Sequence, residues 1–476
     1  MIKTGKNRFF FLLAIAALLC AAFYFLYKED IEKVALILVG MLAVVASPFL
    51  LNYTSNILLA IVFLTPLSVD LVVGGGFKLY APSEIFMLFV VGIVILKSIV
   101  GLKFDRSIIT HPMSVIILVL LTTLVFSTVT SQNPIISIKR ALSQMIFFVV
   151  FYFFVIQFLT QEKQMKKFYF LYTLGMVFPI FYAVKYHSQY GFVQPASVYA
   201  PLPFYDEHTI YGACLAFVIP FLFFLVFNKK STYKIGLVLL LMVFLLALFL
   251  SYSRAAWISV VIAFLFYIFT KLKLKFRHFS LLILLISSVL YVNFNTIYGA
   301  LKENSVKYGD NFSTHIVSVT NLQNDASNRE RINRWVCAMR MFEEKPVLGF
   351  GPGTYQFNYG KYQTNEFTTR ISTHMGDKGN AHSEYFTYLS ETGIVGFLVF
   401  LVLIFYSIYL ALKLLAAGLD KSTKLLVYAS ILGLITFYTH GLFNSFSDSQ
   451  KLSILFISSV AILVRIDLNR VTQQKY

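Results

Sequence analysis

SNRERINRWVCAMRMFEEKPVLGFGPGTY, residues 327–355, and NAHSEYFTYLSETGIVGF, residues 380–397, interrupt a chain that is otherwise apolar along most of its length. In the first piece Ile332, Trp335, Val336, Met339 and Phe342 recur at helical spacing, which predicts a helix with Arg331 and Arg334 near the border of its apolar stripe. Pro346 ends that helix. Gly349, Gly351, Pro352 and Gly353 then put three glycines and a proline into five positions, a composition suited to a tight loop. A helix restarts near His382 and continues into an apolar run, Gly393–Lys413, long enough to cross a bilayer. At about 1.5 Å per residue, His382 stands roughly two or three turns above the start of that run.

Working outward, the same apolar character dominates. The 476 residues are 58% hydrophobic and 13% charged, with a mean hydropathy of +0.74, which excludes a water-soluble domain and indicates a polytopic membrane protein. Candidate spans are Phe9–Tyr27, Val34–Leu51, Asn56–Val73, Ser83–Val100, Met113–Thr130, Ala141–Leu159, Phe168–His187, Thr209–Phe227, Ile235–Ser251, Ala255–Thr270, Phe279–Asn295, Gly393–Lys413, Leu425–Phe446 and Lys451–Arg465. The expected fold is therefore all-α, a polytopic transmembrane helical protein of about 12–14 spans with one large, mainly helical loop. It divides into an N-terminal transmembrane region, residues 1–297, a loop carrying the chemistry, 298–392, and a C-terminal transmembrane region, 393–476.

Charge supplies the orientation. With the N-terminus inside, the cytoplasmic joints hold 22 Lys and Arg against four acids, Asp105, Glu162, Asp420 and Asp467, which is the entire net charge of +18. The loop Tyr298–Thr392 balances ten bases with ten acids. That asymmetry places both termini in the cytoplasm and the loop outside it. Dispersed orientation signals form no basic patch, so nucleic acid is not a partner. The run Phe9–Tyr27 follows Lys3, Lys6 and Arg8 as a signal peptide would, but it is long, aromatic and followed by KEDIEK, and it reads as a retained span. Cys20, Cys214 and Cys337 are scattered, with neither a disulfide framework nor metal-ligand spacing.

Several external residues carry chemistry or structure. Glu29, Asp30 and Glu32 alternate with lysines in the first external joint, as a solvated turn does, or as a base or metal ligand would be presented. Asp70 sits near the outer end of the third span, reaching headgroups or serving a site. Lys139 and Arg140 begin a span on the external side, against the charge trend, and suit headgroup anchoring or a lipid phosphate. His208 suits a helix cap or a catalytic role. Arg254 stands in SYSRAAW, residues 251–257, at an external turn with no acidic neighbours in either span. An unpaired guanidinium near hydrocarbon costs about 2.5–3.5 kcal/mol at mid-bilayer, so it calls for an anion, either from a salt bridge or from a ligand phosphate.

SYSRAAW, then RINRW with KPVLGFGPGTY, then AHSEYFTYLSETGIVG, in that order around one external loop, resembles the bacterial O-antigen ligase and O-antigen polymerase family over roughly residues 209–445. Ser383 departs from the asparagine that often follows the family's histidine. The resemblance implies a C-type glycosyltransferase in the bacterial inner (cytoplasmic) membrane that takes a glycan from undecaprenyl diphosphate at the periplasmic leaflet to an acceptor hydroxyl. Lipid A core is the acceptor of a ligase, a second lipid-linked glycan that of a polymerase, and serine or threonine that of a protein O-oligosaccharyltransferase. A lipid-linked glycan transporter is the reading from another class. Under the resemblance Arg254 and Arg331 take up the charge of the departing diphosphate, with Arg334 in reserve. His382 is the general base, since imidazole titrates near 6.5. Trp335 stacks on sugar or packs the helix, and Glu391 orients the site or starts the membrane helix. One base without a carboxylate pair implies inversion by direct displacement. The glycine loop lacks the lysine and βαβ setting of a nucleotide site, no metal-ligand cluster accompanies His382, and no cofactor is expected.

Overall fold

In hydrocarbon every backbone N–H and C=O must find its partner within the protein, and a helix does so locally; the long apolar runs accordingly form helices. The computed structural model describes residues 53–73, 77–99, 101–228, 233–272, 326–364, 379–446 and 449–473, with a few single positions between them. The proposed spans Phe9–Tyr27, Val34–Leu51 and Phe279–Asn295, and the acids Glu29, Asp30 and Glu32, lie outside the described residues.

In chain order the elements are α1 (Thr54–Leu64), β1 (Val69–Val73), β2 (Phe77–Ala81), α2 (Ser83–Ile99), α3 (Arg106–Thr110), α4 (Pro112–Val129), α5 (Pro134–Phe158, with a π-helical turn at Val149–Phe154), α6 (Glu162–Gln189), α7 (His208–Asn228), α8 (Lys234–Leu250), α9 (Arg254–Lys271), α10 (Ala326–Glu344), α11 (Glu384–Ala416), α12 (Lys421–His440) and α13 (Gln450–Gln473). Among the described residues eight helices, α4 to α7, α9 and α11 to α13, are long and apolar enough to cross a membrane. The chain is an all-α polytopic membrane protein.

One expected span is built differently. Asn56–Val73 reads as continuous, but α1 stops at Leu64, Pro66 lies in a 3₁₀ turn, and Val69–Val73 pairs antiparallel with Phe77–Ala81. Proline has no N–H for the helical ladder, and the β-branched residues after it favour extended backbone. Asp70 therefore lies in a hairpin opposite Tyr80, whose hydroxyl donates to Asp206 Oδ2 at 2.9 Å.

The centre of the bundle is α7, α12 and α13. On α7 the consecutive residues Cys214 to Ile219 are all buried, which requires neighbours on every side. The outer helices keep apolar faces outward, as with Val115, Leu118, Val119 and Phe126 on α4, the surface chemistry that hydrocarbon selects. Polar pairs join the helices: Tyr169 Oη of α6 lies 2.7 Å from both Ser430 Oγ on α12 and Ser459 Oγ on α13.

Helices α11, α12 and α13 alternate in direction, so His382, His440 and Gln450 gather at one end of the bundle. The other end collects Lys413, Asp420 and Arg470, with Lys413 Nζ 2.9 Å from Asp467 Oδ2. A hollow of about 540 Å³ there, bordered by Glu162, Asp420, Asn469 and Arg470, lies a full helix length from His382. Because Tyr169 bridges three helices, Tyr169→Phe should lower the detergent-solubilised protein's unfolding stability by about 0.5–1.5 kcal/mol, the range of interhelical hydrogen bonds in membranes. Thermal unfolding of the purified variant checks it, and no shift would mean the hydroxyl is dispensable.

Candidate active site

Helix α10 lies over the end of the bundle that holds His382. Its buried face is Glu330, Asn333, Arg334, Cys337, Ala338 and Met341, while Met339 is exposed, so the apolar stripe read from the sequence is rotated. Arg334 is therefore interior and not at a border. The reason is a small separate core of Cys337, Ala338, Met341, Phe350, Tyr355, Tyr359 and Ala381, which draws that face inward. The guanidinium is matched on each nitrogen: Nε donates to Glu330 Oε1 at 2.8 Å, Nη1 to the Asn380 carbonyl at 2.9 Å and Nη2 to Tyr359 Oη at 3.4 Å, with the Tyr359 ring 4.7 Å beneath it. These contacts make Arg334 a clamp on the turn before His382.

The glycine loop is a wedge. Phe350 and Gly351 donate their N–H groups to the carbonyls of Ser390 and Glu391, and Ile394 donates to Pro346. Helix α11 bends here, at Gly393 (φ 63°). A Cβ on Gly349 would stand 2.4 Å from the Glu391 carbonyl carbon, and one on Gly393 would stand 2.3 Å from the Val347 oxygen, so both strands of this contact require glycine. The Glu391 carboxylate, almost wholly buried, accepts from the N–H groups of Gly353 (2.8 Å) and Tyr355 (3.0 Å). Glu391 thus ties the loop to α11.

His382 sits at φ +48°, in the left-handed region. The Asn380 Oδ1 accepts its N–H at 3.0 Å, and its carbonyl accepts Trp335 Nε1 at 3.3 Å. The Trp335 ring stacks on Phe386 at 5.6 Å, so packing accounts for this residue. Ser383 caps α11 by accepting from Phe386 N, the task an asparagine amide would perform. Glu384, buried, accepts Phe446 N at 2.7 Å and Ser445 Oγ at 3.2 Å, while its own N–H donates to Gly441. Burial first, and then the charges of Arg334 and Arg331, push the His382 imidazole down to about 3, which keeps it neutral near pH 7 and makes it a weaker base than a free imidazole.

Arg331 is the cation shared by this end. Its Nε donates to the Phe443 carbonyl at 3.2 Å, and its charge acts on His208 at the start of α7, on His382, and on His440 at the end of α12. Arg254 opens α9 at the same end: its neighbour Ser253 packs on Gly212 of α7, where a Cβ would meet Ser253 Cβ at 2.9 Å, and Gly212 is one turn from His208. The structure thus brings Arg331, Arg334, Trp335 and His382 together directly, joins Arg254 to them through α7, and sets Glu391 behind the glycine loop. His440 escaped the sequence reading. It is buried, neither ring nitrogen has a hydrogen-bond partner among the described residues, and its only signal is a histidine at the end of an apolar run. Among the described residues no three His, Cys, Asp or Glu side chains converge as a metal site would require.

Residues 237–401 match the sequence model of a family described as O-antigen ligase. That stretch, about a third of the chain, is similar to the O-antigen ligase family. The matched stretch holds Arg254, Arg331, Arg334, Trp335, His382 and Glu391, and leaves His208 and His440 outside it. No curated protein sequence matches the chain. The match supports glycosyltransferase chemistry of the O-antigen ligase or polymerase type in a multi-pass membrane protein.

In this matched stretch, Glu330→Gln leaves the buried Arg334 without its anion and should cost about 3–5 kcal/mol of stability. The double variant Glu330→Gln with Arg334→Met should regain much of that stability yet stay inactive, because the Asn380 carbonyl loses its clamp. Thermal unfolding and turnover measured together check this; an active double variant would show that the clamp does not position His382.

Proposed function

We propose that the chain transfers a glycan from undecaprenyl diphosphate to an acceptor hydroxyl at the periplasmic face of the bacterial inner membrane, as an O-antigen ligase whose acceptor is lipid A core. The observation that carries this reading is the neutral, buried imidazole of His382, held on a rigid turn beside the Arg331 guanidinium. A base within electrostatic reach of a cation suits a displacement in which a proton leaves one reactant while negative charge grows on another. Orientation rests on charge: the basic joints Lys413, Lys421 and Arg470 collect at the end opposite His382, which supports a cytoplasmic end there and a periplasmic site. The division at residues 298 and 392 belongs to the same reading.

The step balances without a metal. The acceptor hydroxyl gives its proton to His382 as its oxygen bonds to the anomeric carbon. The anomeric C–O bond to the diphosphate breaks, and the diphosphate leaves with the electron pair. Arg331 and Arg254 take up that charge through planar N–H forks. Attack opposite the leaving group inverts the anomeric centre. Arg334, Trp335 and Glu391 act as positioning residues in this scheme, since their polar atoms are engaged by Glu330, His382 and the glycine loop.

Because His382 is held near 3 and not near 6.5, its base form persists as pH falls, and kcat/KM should show no acid limb from this group between about pH 8 and pH 5. His382→Ala should lower transfer about 100- to 10,000-fold with donor binding retained. Both are read with purified protein and lipid-linked glycan in EDTA, where discharge of undecaprenyl diphosphate should persist. Near-normal turnover of His382→Ala, an acid limb near 6.5 that His382 controls, or strict dependence on added metal would overturn the mechanism. In a deletion strain, intact lipid-linked polymer left unattached supports the ligase, whereas accumulated single repeats would make it a polymerase.

A further inference from the structure

The hollow of about 540 Å³ at the end of the bundle opposite His382 lies between the first turns of α6 and α12, the loop after α11 and the last turns of α13. Its size suits a small-molecule site. Met165, Leu426 and Ile466 give it an apolar part and are buried. Glu162, Asp420 and Arg470 line it with charge that is partly open to solvent.

These charges are unequally matched. Glu162 has a cation of its own, Lys166, whose Nζ lies 2.5 Å from Oε1, and it also accepts from the Ser422 hydroxyl. Asp420 caps α12, where its Oδ1 accepts the N–H groups of Ser422 at 2.8 Å and Thr423 at 2.9 Å. Among the described residues Asp420 forms no ion pair, and Lys166 acts on it only from beyond that range. Thr423 Oγ1 reaches both acids, 2.7 Å from Asp420 Oδ2 and 3.3 Å from Glu162 Oε2, and its single proton cannot serve two carboxylates. Arg470 has the opposite shortage. Its ion pair with Asp467 Oδ1 spans 4.0 Å, and that carboxylate is already held by Lys413 Nζ at 2.9 Å and faces His111 Nε2 at 3.6 Å. Among the described residues the Arg470 guanidinium makes no hydrogen bond. A planar fork of N–H donors thus lines one part of the hollow, an anion without a counter-charge lines another, and the two do not pair with each other.

We propose that this hollow binds a phosphoethanolamine group, with its phosphate oxygens on Arg470 and its ammonium on Asp420 and Glu162. Each end of that zwitterion supplies what the side chain facing it lacks, through charge-assisted hydrogen bonds. A polyanion is disfavoured because both carboxylates face the same space. Phosphocholine carries the same charges, but its quaternary nitrogen has no N–H to donate to a carboxylate. A phosphoglycerol headgroup satisfies Arg470 and brings no counter-charge for Asp420. The buried Met165, Leu426 and Ile466 suit the glycerol and first methylenes of a lipid, and the same headgroup also exists as soluble glycerophosphoethanolamine. Once bound, the group joins α6, α12 and α13 at the end farthest from His382. Nothing in this site depends on the transfer reaction at the other end.

The test places full-length protein in nanodiscs of phosphatidylcholine, alone or doped with phosphatidylethanolamine or phosphatidylglycerol, and native mass spectrometry counts the lipids that stay bound. Calorimetric titration with sn-glycerophosphoethanolamine in phospholipid-free detergent measures the soluble form. The ethanolamine lipid should be held about tenfold or more tightly than either other lipid. Asp420→Asn and Arg470→Gln should each weaken binding by about tenfold or more. Asparagine caps a helix as well as aspartate does, so Asp420→Asn removes the charge and keeps the start of α12. Ala417→Trp, which fills the hollow and leaves every charge in place, should abolish binding. Thermal unfolding in phosphatidylcholine nanodiscs shows which variants are folded, and if Arg470→Gln is not, Asp420→Asn decides. Retention of the lipid without binding of the soluble form supports a lipid site, and the reverse supports a site for the soluble zwitterion. Equal retention of the three lipids, preference for phosphatidylglycerol, no binding of either ethanolamine form, or unchanged affinity in a folded Asp420→Asn or Arg470→Gln protein would overturn the proposal.

Discussion

The ion pair between Arg334 and Glu330, one turn apart on α10 and both almost entirely out of water, is the interaction on which the rest of the site depends. Two buried charges repay their desolvation only when geometry and further hydrogen bonds are good. Here the guanidinium completes its set with the Asn380 carbonyl and Tyr359, and Glu330 also accepts from Ser372. The pair therefore fixes where Asn380 stands, and Asn380 fixes the N–H of His382. Trp335, which donates to the His382 carbonyl, gives α10 a second hold on the same turn.

A second constraint follows from the membrane. The helices can supply a rigid frame but few polar groups, so the site is assembled from their ends: His208 begins α7, Arg254 begins α9, Ser383 caps α11 and His440 ends α12. The irregular backbone of the glycine loop lies against the Gly393 bend, where freed N–H and C=O groups of one segment satisfy those of the other. Such an arrangement puts preorganised cations and a neutral imidazole beside the bilayer, where a lipid-linked substrate would present its head.

Much of this was legible in the chain. Long apolar runs predict α4 to α7 and α11 to α13 because hydrocarbon leaves the backbone no alternative, and a tight loop follows from three glycines and a proline in five positions. The orienting effect of Lys and Arg separates the two ends. What was not legible depends on tertiary contact. Periodicity placed Arg334 on a border because a charged residue is ordinarily solvated, yet Glu330 and Tyr359 make its burial tolerable. Glu391 read equally as an orienting group or as the start of a membrane helix, and only the folded glycine loop shows which N–H groups it receives. The hairpin after Leu64 was hidden because a strand of apolar residues and the end of an apolar helix have the same composition over so short a run. His440 has no motif around it; only burial without a partner distinguishes it.

The central claim is that guanidinium groups from α9 and α10 and the imidazole before α11 face one diphosphate. The most direct measurement is an experimental structure of the protein with undecaprenyl diphosphate bound in a lipid nanodisc. The account predicts diphosphate oxygens about 2.7–3.0 Å from the guanidinium nitrogens of both Arg331 and Arg254, with His382 on the side away from the leaving group. A diphosphate seated elsewhere, or one touching Arg331 while Arg254 points into a separate region, would contradict it.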